Sequence, residues 1–172
     1  RTFMSWIFVD SGSGSSVMMA NSGGGIGSVV LQVNEPSGFL TVYIGGVSTT
    51  FAGAMAGKFD RWTHVAVAFD EPSGSLKLYV DGVQFGSTAT NAGQWSVSAS
   101  NPTLSIGVYG GQWWDGKMAW VSVHERALTA TEIENAYNIA VGEYWNMLTD
   151  SPNYTNHLVI DPGTNSLTIK GF

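Results

Sequence analysis

The sequence predicts an all-β fold: an antiparallel β-sandwich with one short C-terminal helix and an extra hairpin in its tail. Charged residues form only 12% of the 172 residues, about half the usual share. The chain also contains 22 glycines, which suit tight turns, and 12% aromatic residues, which favour strands. Apolar and polar residues alternate along several short runs, as expected for strands with one buried face.

The first third of the chain is typical of a meander of short strands. Turn residues (Gly, Ser, Asn and Pro) separate the apolar runs. The predicted strands cover residues 3–9, 17–20, 26–33, 39–44 and 47–51. The glycine cluster at 21–27 lacks the Lys-Ser/Thr end of a phosphate-binding loop and precedes a strand, so it predicts a simple connection.

The middle of the chain supplies the core strands. Residues 61–69 carry apolar side chains at both alternating sets of positions, which indicates a strand buried on both faces. The strand at 75–80 ends at Asp81-Gly82, a strong hairpin signal, and returns at 83–85. We expect 86–101 to form a long loop, and 103–108 and 117–124 to form the last two core strands.

A helix and a tail follow the core. Thr129 and Glu132 form a capping box, which predicts a helix over 131–140 with Ile133, Ala136, Tyr137 and Ala140 on one face. Turn residues at 161–165 separate two short runs at 158–160 and 166–169, which indicates a hairpin. We therefore divide the chain into a sandwich at 1–140 and an extension at 141–172.

Several segments together resemble one known family. They are Phe59-Asp60-Arg61-Trp62-Thr63-His64-Val65-Ala66-Val67, Leu78-Tyr79-Val80-Asp81-Gly82-Val83, Leu104-Ser105-Ile106-Gly107, Asp115-Gly116-Lys117-Met118 and Arg126-Ala127-Leu128-Thr129-Ala130-Thr131-Glu132-Ile133. In this order and spacing they resemble the laminin G-like domains of the concanavalin A-like lectin and glucanase superfamily. The resemblance covers roughly residues 3–137, and it implies a jelly roll of the concanavalin A-like type.

The chain departs from this family at both ends. The family normally has a strand and a turn before the position of Phe3, and the tail after residue 140 has no counterpart. Because the chain begins at Arg1 within a predicted strand, we expect it to be a piece of a longer protein. The tail hairpin is a candidate for the place of the outer strand.

Composition excludes several classes of partner. The net charge is -6, and no run of Lys or Arg is present to neutralise a phosphate backbone, so we expect no nucleic acid partner. No apolar run approaches the roughly 20 residues of a membrane-spanning helix, so we expect no membrane insertion. The absence of cysteine rules out disulfides and thiolate chemistry.

The sequence predicts that the protein is not an enzyme. The glucanases of the same superfamily need two carboxylates about 5 to 5.5 Å apart, carried on one strand, and that acidic pattern is missing. Glu132 and Glu134 lie on different sides of the predicted helix, and Glu132 is explained by capping. His64, within the doubly buried strand, is typical of a core histidine with its hydrogen bonds satisfied.

Calcium is the one cofactor that the resemblance implies, because such domains often hold an ion at one end of the sandwich. Asp81 and Asp115 are the weak candidates for ligands. Both residues precede glycine and are better explained as a turn residue and a strand-lead residue, so we expect no certain metal site.

Aromatic side chains provide the candidate glycan site, since sugar rings stack on Trp and Tyr. In an extended segment the adjacent Trp113 and Trp114 point to opposite faces, so one faces water. The candidate residues are Trp95, Tyr109, Gln112, Trp113 and Trp114. The alternative is that Tyr144 and Trp145 of the tail cover this platform.

Three functions remain open. The first is a surface-exposed module that assembles on a virion or an extracellular structure, with a protein partner or a second copy of itself bound by the tail, and with glycan contact in addition. The second is a dedicated lectin-like adhesion domain, and the third is a glycoside hydrolase. The candidate assembly residues of the tail are Tyr154, Leu158, Ile160, Leu167, Ile169 and Phe172.

Overall fold

The computed structural model of the chain describes residues 1–12, 14–21, 29–35, 37–94, 104–149, 157–161 and 166–170. These residues form antiparallel strands and one helix. The elements are β1 (Thr2–Val9), β2 (Ser15–Asn21), β3 (Val29–Asn34), β4 (Phe39–Ile44), β5 (Val47–Phe51), β6 (Trp62–Asp70), β7 (Ser75–Val80), β8 (Val83–Thr90), β9 (Leu104–Ile106), β10 (Val108–Tyr109), β11 (Gln112–Trp113), β12 (Gly116–His124), α1 (Ala130–Thr149), β13 (His157–Asp161) and β14 (Ser166–Lys170).

Two five-stranded sheets make the sandwich. Sheet I has the order β12-β1-β6-β7-β8, and sheet II has the order β5-β4-β3-β2-β9. All pairings within both sheets are antiparallel. The predicted antiparallel sandwich is therefore confirmed.

The core lies between the inner faces of the two sheets. Alternate residues of each strand point inward because successive side chains of a strand leave on opposite sides. The fully buried members include Phe3, Ile7, Leu31, Leu40, Val42, Ile44, Val65, Val67, Phe69, Leu76 and Leu78. No charged side chain belongs to this cluster, so packing of apolar surface holds the sheets together.

Strand β6 is buried on both faces, as its sequence predicts. Its second face, with Ala66 and Ala68, lies under the residues that lead into and begin α1, including Leu128 and Ile133. Met4 and Tyr79 of the neighbouring strands complete this second, smaller cluster. The small alanine side chains let the helix approach the sheet closely.

Two tight turns follow the glycine signals. Asp81 and Gly82 both have positive φ angles, 51° and 79°, as the favoured hairpin turns require. Gly45 and Gly46 do the same between β4 and β5, with 55° and 83°. The turn predicted at Asp81-Gly82 is confirmed, and the second turn lies between the strands predicted at 39–44 and 47–51.

The helix begins where the capping box predicts and ends later. Thr129 Oγ1 accepts a hydrogen bond from the Glu132 amide, and Glu132 Oε2 accepts one from the Thr129 amide. The predicted end at Ala140 is wrong, since α1 continues to Thr149. Gly142 costs only about 1 kcal/mol within a helix, and the next strong helix breaker is Pro152.

The predicted loop at 86–101 is partly strand. Strand β8 continues to Thr90, paired with β7. A bulge at this edge places three residues of β8, from Gly86 to Thr88, against one residue of β7, Lys77, and this irregularity hides the strand pattern in the sequence. The remainder of the predicted loop, from residue 95, lies outside the described residues.

The predicted strand at 103–108 is divided in two. Gly107 has a φ of 77° and donates its amide to the Met18 carbonyl at 3.0 Å, so the chain turns there. Strand β9 stays in sheet II, whereas β10 turns away to pair with β11. The first part of the predicted strand at 26–33 lies outside the described residues, and β3 begins at Val29.

The tail hairpin is present. Strands β13 and β14 pair over five positions, with Leu158 opposite Ile169 and Ile160 opposite Leu167. They form a separate two-stranded sheet, and β13 lies beside β12. Tyr154 and Phe172 lie outside the described residues. Within the described part of the chain, no helix is long and apolar enough to cross a membrane.

Candidate functional site

The outer face of sheet II carries the candidate site. Because Leu40, Val42 and Ile44 point inward, the residues between them on β4 point outward. The register aligns Thr41 with Gln32 on β3 and with Thr50 on β5. The outward residues of the described strands are Ser15, Val17, Ala20, Val30, Gln32, Asn34, Phe39, Thr41, Tyr43, Ser48, Thr50 and Ser105.

This face has polar groups but no charge in its described strands. Hydroxyls and amides alternate with the rings of Phe39 and Tyr43, which are 39% and 37% exposed. The hydroxyls of Thr41 and Thr50 lie 3.1 Å apart across the strands, and Asn34 Nδ2 donates to Ser15 Oγ at 2.8 Å. These bonds hold donors and acceptors in a fixed row beside the aromatic rings.

The hairpin of β10 and β11 covers one half of this face. Tyr109 packs on a small buried cluster formed by Val17, Ala20 and Val30. Gln32 Nε2 donates to Gln112 Oε1 at 3.4 Å, at the border between the covered and the open half. The open half of the face, over β3 to β5, is therefore bounded by this hydrogen bond between two amide side chains.

The two adjacent tryptophans of this segment point in opposite directions. Trp114 is 5% exposed and belongs to the core, whereas Trp113 is 61% exposed. The Trp114 amide donates to the Gly107 carbonyl at 2.7 Å, which fixes the inward ring. The alternation predicted from the sequence is therefore confirmed for this pair.

The structure separates the predicted glycan residues. Tyr109 pairs with Gln112, and both contact sheet II. Trp113 pairs with Val108, one position along each strand from the Tyr109–Gln112 pair. Its side chain therefore lies on the opposite side of the hairpin from those of Tyr109 and Gln112. Trp114 lies in the core and is not available for stacking. Trp95 lies outside the described residues, as do the side chains of the proposed cover, Tyr144 and Trp145.

Asp81 is already engaged by cations of the protein. Its Oδ2 lies 2.6 Å from Lys58 Nζ and 3.7 Å from Arg61 Nη2, and its Oδ1 accepts the His64 amide at 3.0 Å. These contacts link the chain before β6 to the turn after β7. Because both oxygens of this carboxylate already have partners, it is a poor candidate for a calcium ligand.

Backbone hydrogen bonds of Asp115 fix the segment that leads into β12. Its carbonyl accepts the Asp10 amide at 3.2 Å, and its amide lies 3.4 Å from Ser16 Oγ. Among the described residues, no three side chains of His, Asp or Glu gather closely enough to hold a metal ion.

His64 is a buried neutral residue. Burial lowers the pKa of its imidazole to about 4, although the Asp81 carboxylate acts in the opposite direction. Its ring lies 5.6 Å from that of Trp6 and 5.8 Å from that of Tyr137, measured between centroids. The expectation of satisfied hydrogen bonds is wrong, since Nδ1 has no partner among the described residues.

The sequence reasoning missed the open half of sheet II. Gln32, Thr41, Tyr43 and Thr50 lie there together, although they are far apart along the chain. A signal was present in the alternation of β4, where Thr41 and Tyr43 interrupt the apolar residues. The alignment with Gln32 and Thr50 depends on the strand register, which the sequence does not display.

The sequence matches a known family. A sequence model of the concanavalin A-like lectin/glucanases superfamily matches residues 1–134. A comparison with curated proteins gives no match.

Several solved structures share the fold. One is a Bacteroides ovatus protein provisionally assigned as carbohydrate-binding, with 24% identity and a TM-score of 0.61 over 77% of this chain. This chain spans 39% of that protein. Another is the CBM40 of the Ruminococcus gnavus IT-sialidase, with 13% identity and a TM-score of 0.63, covering 79% of this chain and 81% of the other.

A third similar structure contains a bound oligosaccharide. It is domain 4 of AbnA, an extracellular GH43 arabinanase of Geobacillus stearothermophilus, in complex with arabinotriose. The identity is 17% and the TM-score is 0.60, over 78% of this chain and 64% of the other. At these identities the likeness concerns the fold.

Proposed function

Because this chain belongs to the concanavalin A-like lectin/glucanases superfamily, we propose that it is a non-catalytic module that binds a neutral glycan on the open half of sheet II. The observation that carries this proposal is the uncharged polar face itself, with exposed rings beside hydroxyl and amide groups. Among the similar structures, one is of a protein provisionally assigned as carbohydrate-binding, and another contains bound arabinotriose.

The chemistry of this face suits a sugar chain. Tyr43 offers a ring for the C–H face of a sugar, and Gln32 and Thr41 offer donors and acceptors for its hydroxyls. The described residues of β3 to β5 form an open surface rather than an enclosed pocket, which favours internal units of a sugar chain over its end. Trp113, on the far side of the hairpin, offers a second exposed stacking surface.

The absence of carboxylates from the described strands of this face supports binding without hydrolysis. Glycoside hydrolysis requires a pair of acidic groups at a defined separation. The outward residues of these strands are hydroxyl, amide, apolar and aromatic. On the described strands β3, β4 and β5, a bound sugar would contact no carboxylic acid that could protonate the glycosidic oxygen.

A glycan array on the chain, followed by titration of each hit, tests the proposal. We expect neutral oligosaccharides to bind and sialylated ones to bind no better than their neutral cores. Tyr43→Ala removes a stacking ring and should weaken glycan binding about tenfold. The melting temperature of this variant should stay within a few degrees of the wild-type value. Trp113→Ala tests the second surface separately.

The matched control for these variants is Val83→Ala, which truncates a residue 70% exposed on β8 of the other sheet. It should leave binding unchanged. An array without hits, or equal binding by the wild-type protein and by both the Tyr43→Ala and Trp113→Ala variants, contradicts the proposed site. Release of reducing sugar from the bound glycan contradicts the non-catalytic role.

The tail supports a further part of the proposal, an assembly role on an extracellular or virion surface. Strand β14 pairs with β13 alone within the described residues, which leaves its other edge open to a strand of a partner protein or of a second copy. The assembly residues Leu158, Ile160, Leu167 and Ile169 lie on this hairpin. The extracellular location is a proposal of the same kind, since such modules meet glycans outside cells.

A further inference from the structure

Two exposed aromatic rings lie on one strand of the open half of sheet II. Phe39 and Tyr43 both belong to β4, and both are exposed. Because they are four residues apart, both point outward, and their α-carbons are separated by about 13 Å at about 3.3 Å per residue. Adjacent units of a linear sugar chain lie closer together than this. A glycan that contacts both rings must therefore contain at least one further unit between the two that stack.

A row of polar side chains crosses the strands between these two rings. The register aligns Gln32 of β3, Thr41 of β4 and Thr50 of β5. Along β4, Thr41 lies midway between Phe39 and Tyr43. A sugar unit placed between two stacked units would therefore lie over this polar row.

The side chains of this row keep hydrogen-bonding capacity for a ligand. The hydroxyls of Thr41 and Thr50 lie 3.1 Å apart, so one of them donates to the other. That bond uses one of the two hydroxyl hydrogens and leaves the other hydrogen and several acceptor lone pairs. Gln32 Nε2 donates one hydrogen to Gln112 Oε1 and has a second hydrogen beside its own carbonyl oxygen. A donor and an acceptor on one amide suit two adjacent hydroxyls of a single sugar unit.

The hairpin of β10 and β11 limits the direction in which a sugar chain can lie. The position of β2 that continues the polar row is Val17, which is buried in the cluster on which Tyr109 packs. A chain laid across the strands would have only β3 to β5 beneath it, about 10 Å, before it met the hairpin. It would also contact only one of the two rings. A chain laid along β4 contacts both rings and the polar row between them.

Resting on the glycan-binding role proposed above, we propose that the ligand is a neutral linear glycan that runs along β4 and is bound over three consecutive units. The outer units stack on Phe39 and Tyr43, and the central unit forms hydrogen bonds with Thr41 and Gln32. The described strands of sheet II carry no charged residue. A uronic acid chain would therefore lose hydration of its carboxylates on these strands without gaining an opposite charge.

The test is calorimetric titration of the full chain with xylo-, cello- and arabino-oligosaccharides, each from the monosaccharide to the hexasaccharide. In a series that binds, the affinity should rise at least about tenfold from the disaccharide to the trisaccharide, because only the trisaccharide reaches both rings. From there to the hexasaccharide it should rise less than about fivefold, since the additional units add only alternative positions on the same site. The trimer of galacturonic acid should bind at least about tenfold more weakly than the neutral trisaccharide.

Three outcomes overturn the proposal. They are equal affinities for the disaccharide and the trisaccharide, a galacturonic acid trimer that binds as tightly as the neutral trisaccharide, and the absence of binding in all three neutral series.

Three variants define the direction of the bound chain. Phe39→Ala and Tyr43→Ala should each lower the trisaccharide affinity about tenfold, to that of the disaccharide, because one outer contact is lost. Each should weaken disaccharide binding by only about twofold, since a disaccharide can use the remaining ring. Thr41→Val replaces a hydroxyl by a methyl group and should weaken trisaccharide binding about fivefold. If Phe39→Ala keeps the step between disaccharide and trisaccharide, the chain does not run along β4.

Controls separate this inference from loss of folding and from the glycan-binding role itself. Thr88→Val makes the same chemical change as Thr41→Val on an exposed residue of β8, in sheet I, and should bind the trisaccharide like the wild type. Both affinities are measured on the same variant, so a partial loss of folded protein does not change their ratio. A protein that binds neutral glycans without a step in the length series retains the glycan-binding role and contradicts this inference. A protein that binds no glycan contradicts both.

Discussion

At the scale of single residues, the response of the protein to pH depends on His64. Its imidazole has a pKa of about 4 in the folded protein, lowered by burial from 6.5. The unfolded chain therefore binds this proton more readily than the folded protein does. Stability contributed by the neutral ring is complete above about pH 6.5 and is lost as the pH falls through 4.

This difference predicts a loss of up to about 3 kcal/mol of unfolding free energy between pH 7 and pH 4, at about 1.4 kcal/mol for each pH unit. Urea unfolding at several pH values measures it. The variant His64→Phe should show a much flatter dependence over this range. The control His124→Gln removes a histidine from the end of β12 and should retain the wild-type dependence.

Glu132 acts in a separate pH window. The hydrogen bonds from Arg126 and from the Thr129 amide lower the pKa of its carboxyl group to about 2, from an ordinary value of 4.5. Its contribution to stability is therefore lost only below about pH 4.5.

If the His64→Phe variant loses as much stability as the wild type between pH 7 and 5, the role assigned to His64 is wrong.

Some properties of single residues could be predicted from the sequence. The opposite orientations of Trp113 and Trp114 follow from the alternation of any extended segment, and the positive φ of Asp81 follows from its place in an Asp-Gly turn. The unpaired nitrogen of His64 could not be predicted, because it depends on the sheet register and on a helix more than sixty residues away along the chain.

At the scale of elements, the junction after β8 depends on Asn91. This residue is 1% exposed, and its Nδ2 donates to the Val47 carbonyl at 3.2 Å and to Thr49 Oγ1 at 3.0 Å. Its Oδ1 accepts the Gly93 amide at 2.8 Å. A β-carbon on Gly93 would lie 1.8 Å from the Ile44 carbonyl oxygen, so the two backbones meet there and only glycine fits. The side chain thus ties the exit of sheet I to the edge of sheet II.

We predict that Asn91→Ala lowers the free energy of unfolding by about 1 to 3 kcal/mol, because it leaves the buried Gly93 amide unpaired and removes the hydrogen bonds to Val47 and Thr49. Chemical unfolding measures the change. The control Gln84→Ala removes an exposed amide from β8 and should cost less than about 0.5 kcal/mol. Equal effects of the two substitutions would mean that the Asn91 hydrogen bonds do not hold the junction.

Elements with strong local signals could be predicted, and those that depend on distant partners could not. The strands at 39–44, 47–51 and 75–80 match their predicted bounds, since both hairpin turns and the alternation mark their ends. The outer part of β8 and the small hairpin of β10 and β11 carry polar or glycine-rich sequences. They become strands because β7 and β2 lie beside them.

At the scale of the whole molecule, the role of the tail can be tested separately from that of the sandwich. A chain ending at Thr149 keeps both sheets and the helix, so we expect it to fold and to keep any glycan binding. If the tail hairpin mediates assembly, this truncated chain should remain monomeric under conditions in which the full chain associates. Light scattering after gel filtration measures the difference.

The truncation has two informative controls. Leu158→Asp on β13 introduces a charge into the hairpin and should reproduce the loss of association, whereas Val83→Asp on β8 should not. An oligomeric state that is the same for the full and truncated chains contradicts the assembly role. The division into a sandwich at 1–140 and an extension at 141–172 stays a prediction, although α1 runs through this boundary.

The overall architecture was predictable because composition, alternation and turn residues all favour the same sandwich. The location of the candidate glycan face was not. It follows from which half of sheet II the hairpin covers, and therefore from the turn at Gly107. A single residue that redirects the chain decides which surface is left open.

The bulge in β8 bears on how the molecule avoids polymerisation. This strand is the last of sheet I and carries no charged residue, so a straight strand here would be a template for stacking one molecule after another into a fibre. The two additional residues around Gly86 interrupt the row of amides and carbonyls that has no partner strand among the described residues, so an approaching strand cannot pair along its full length. In this protein the shape of the backbone provides the protection against aggregation that lysines provide at many other sheet edges.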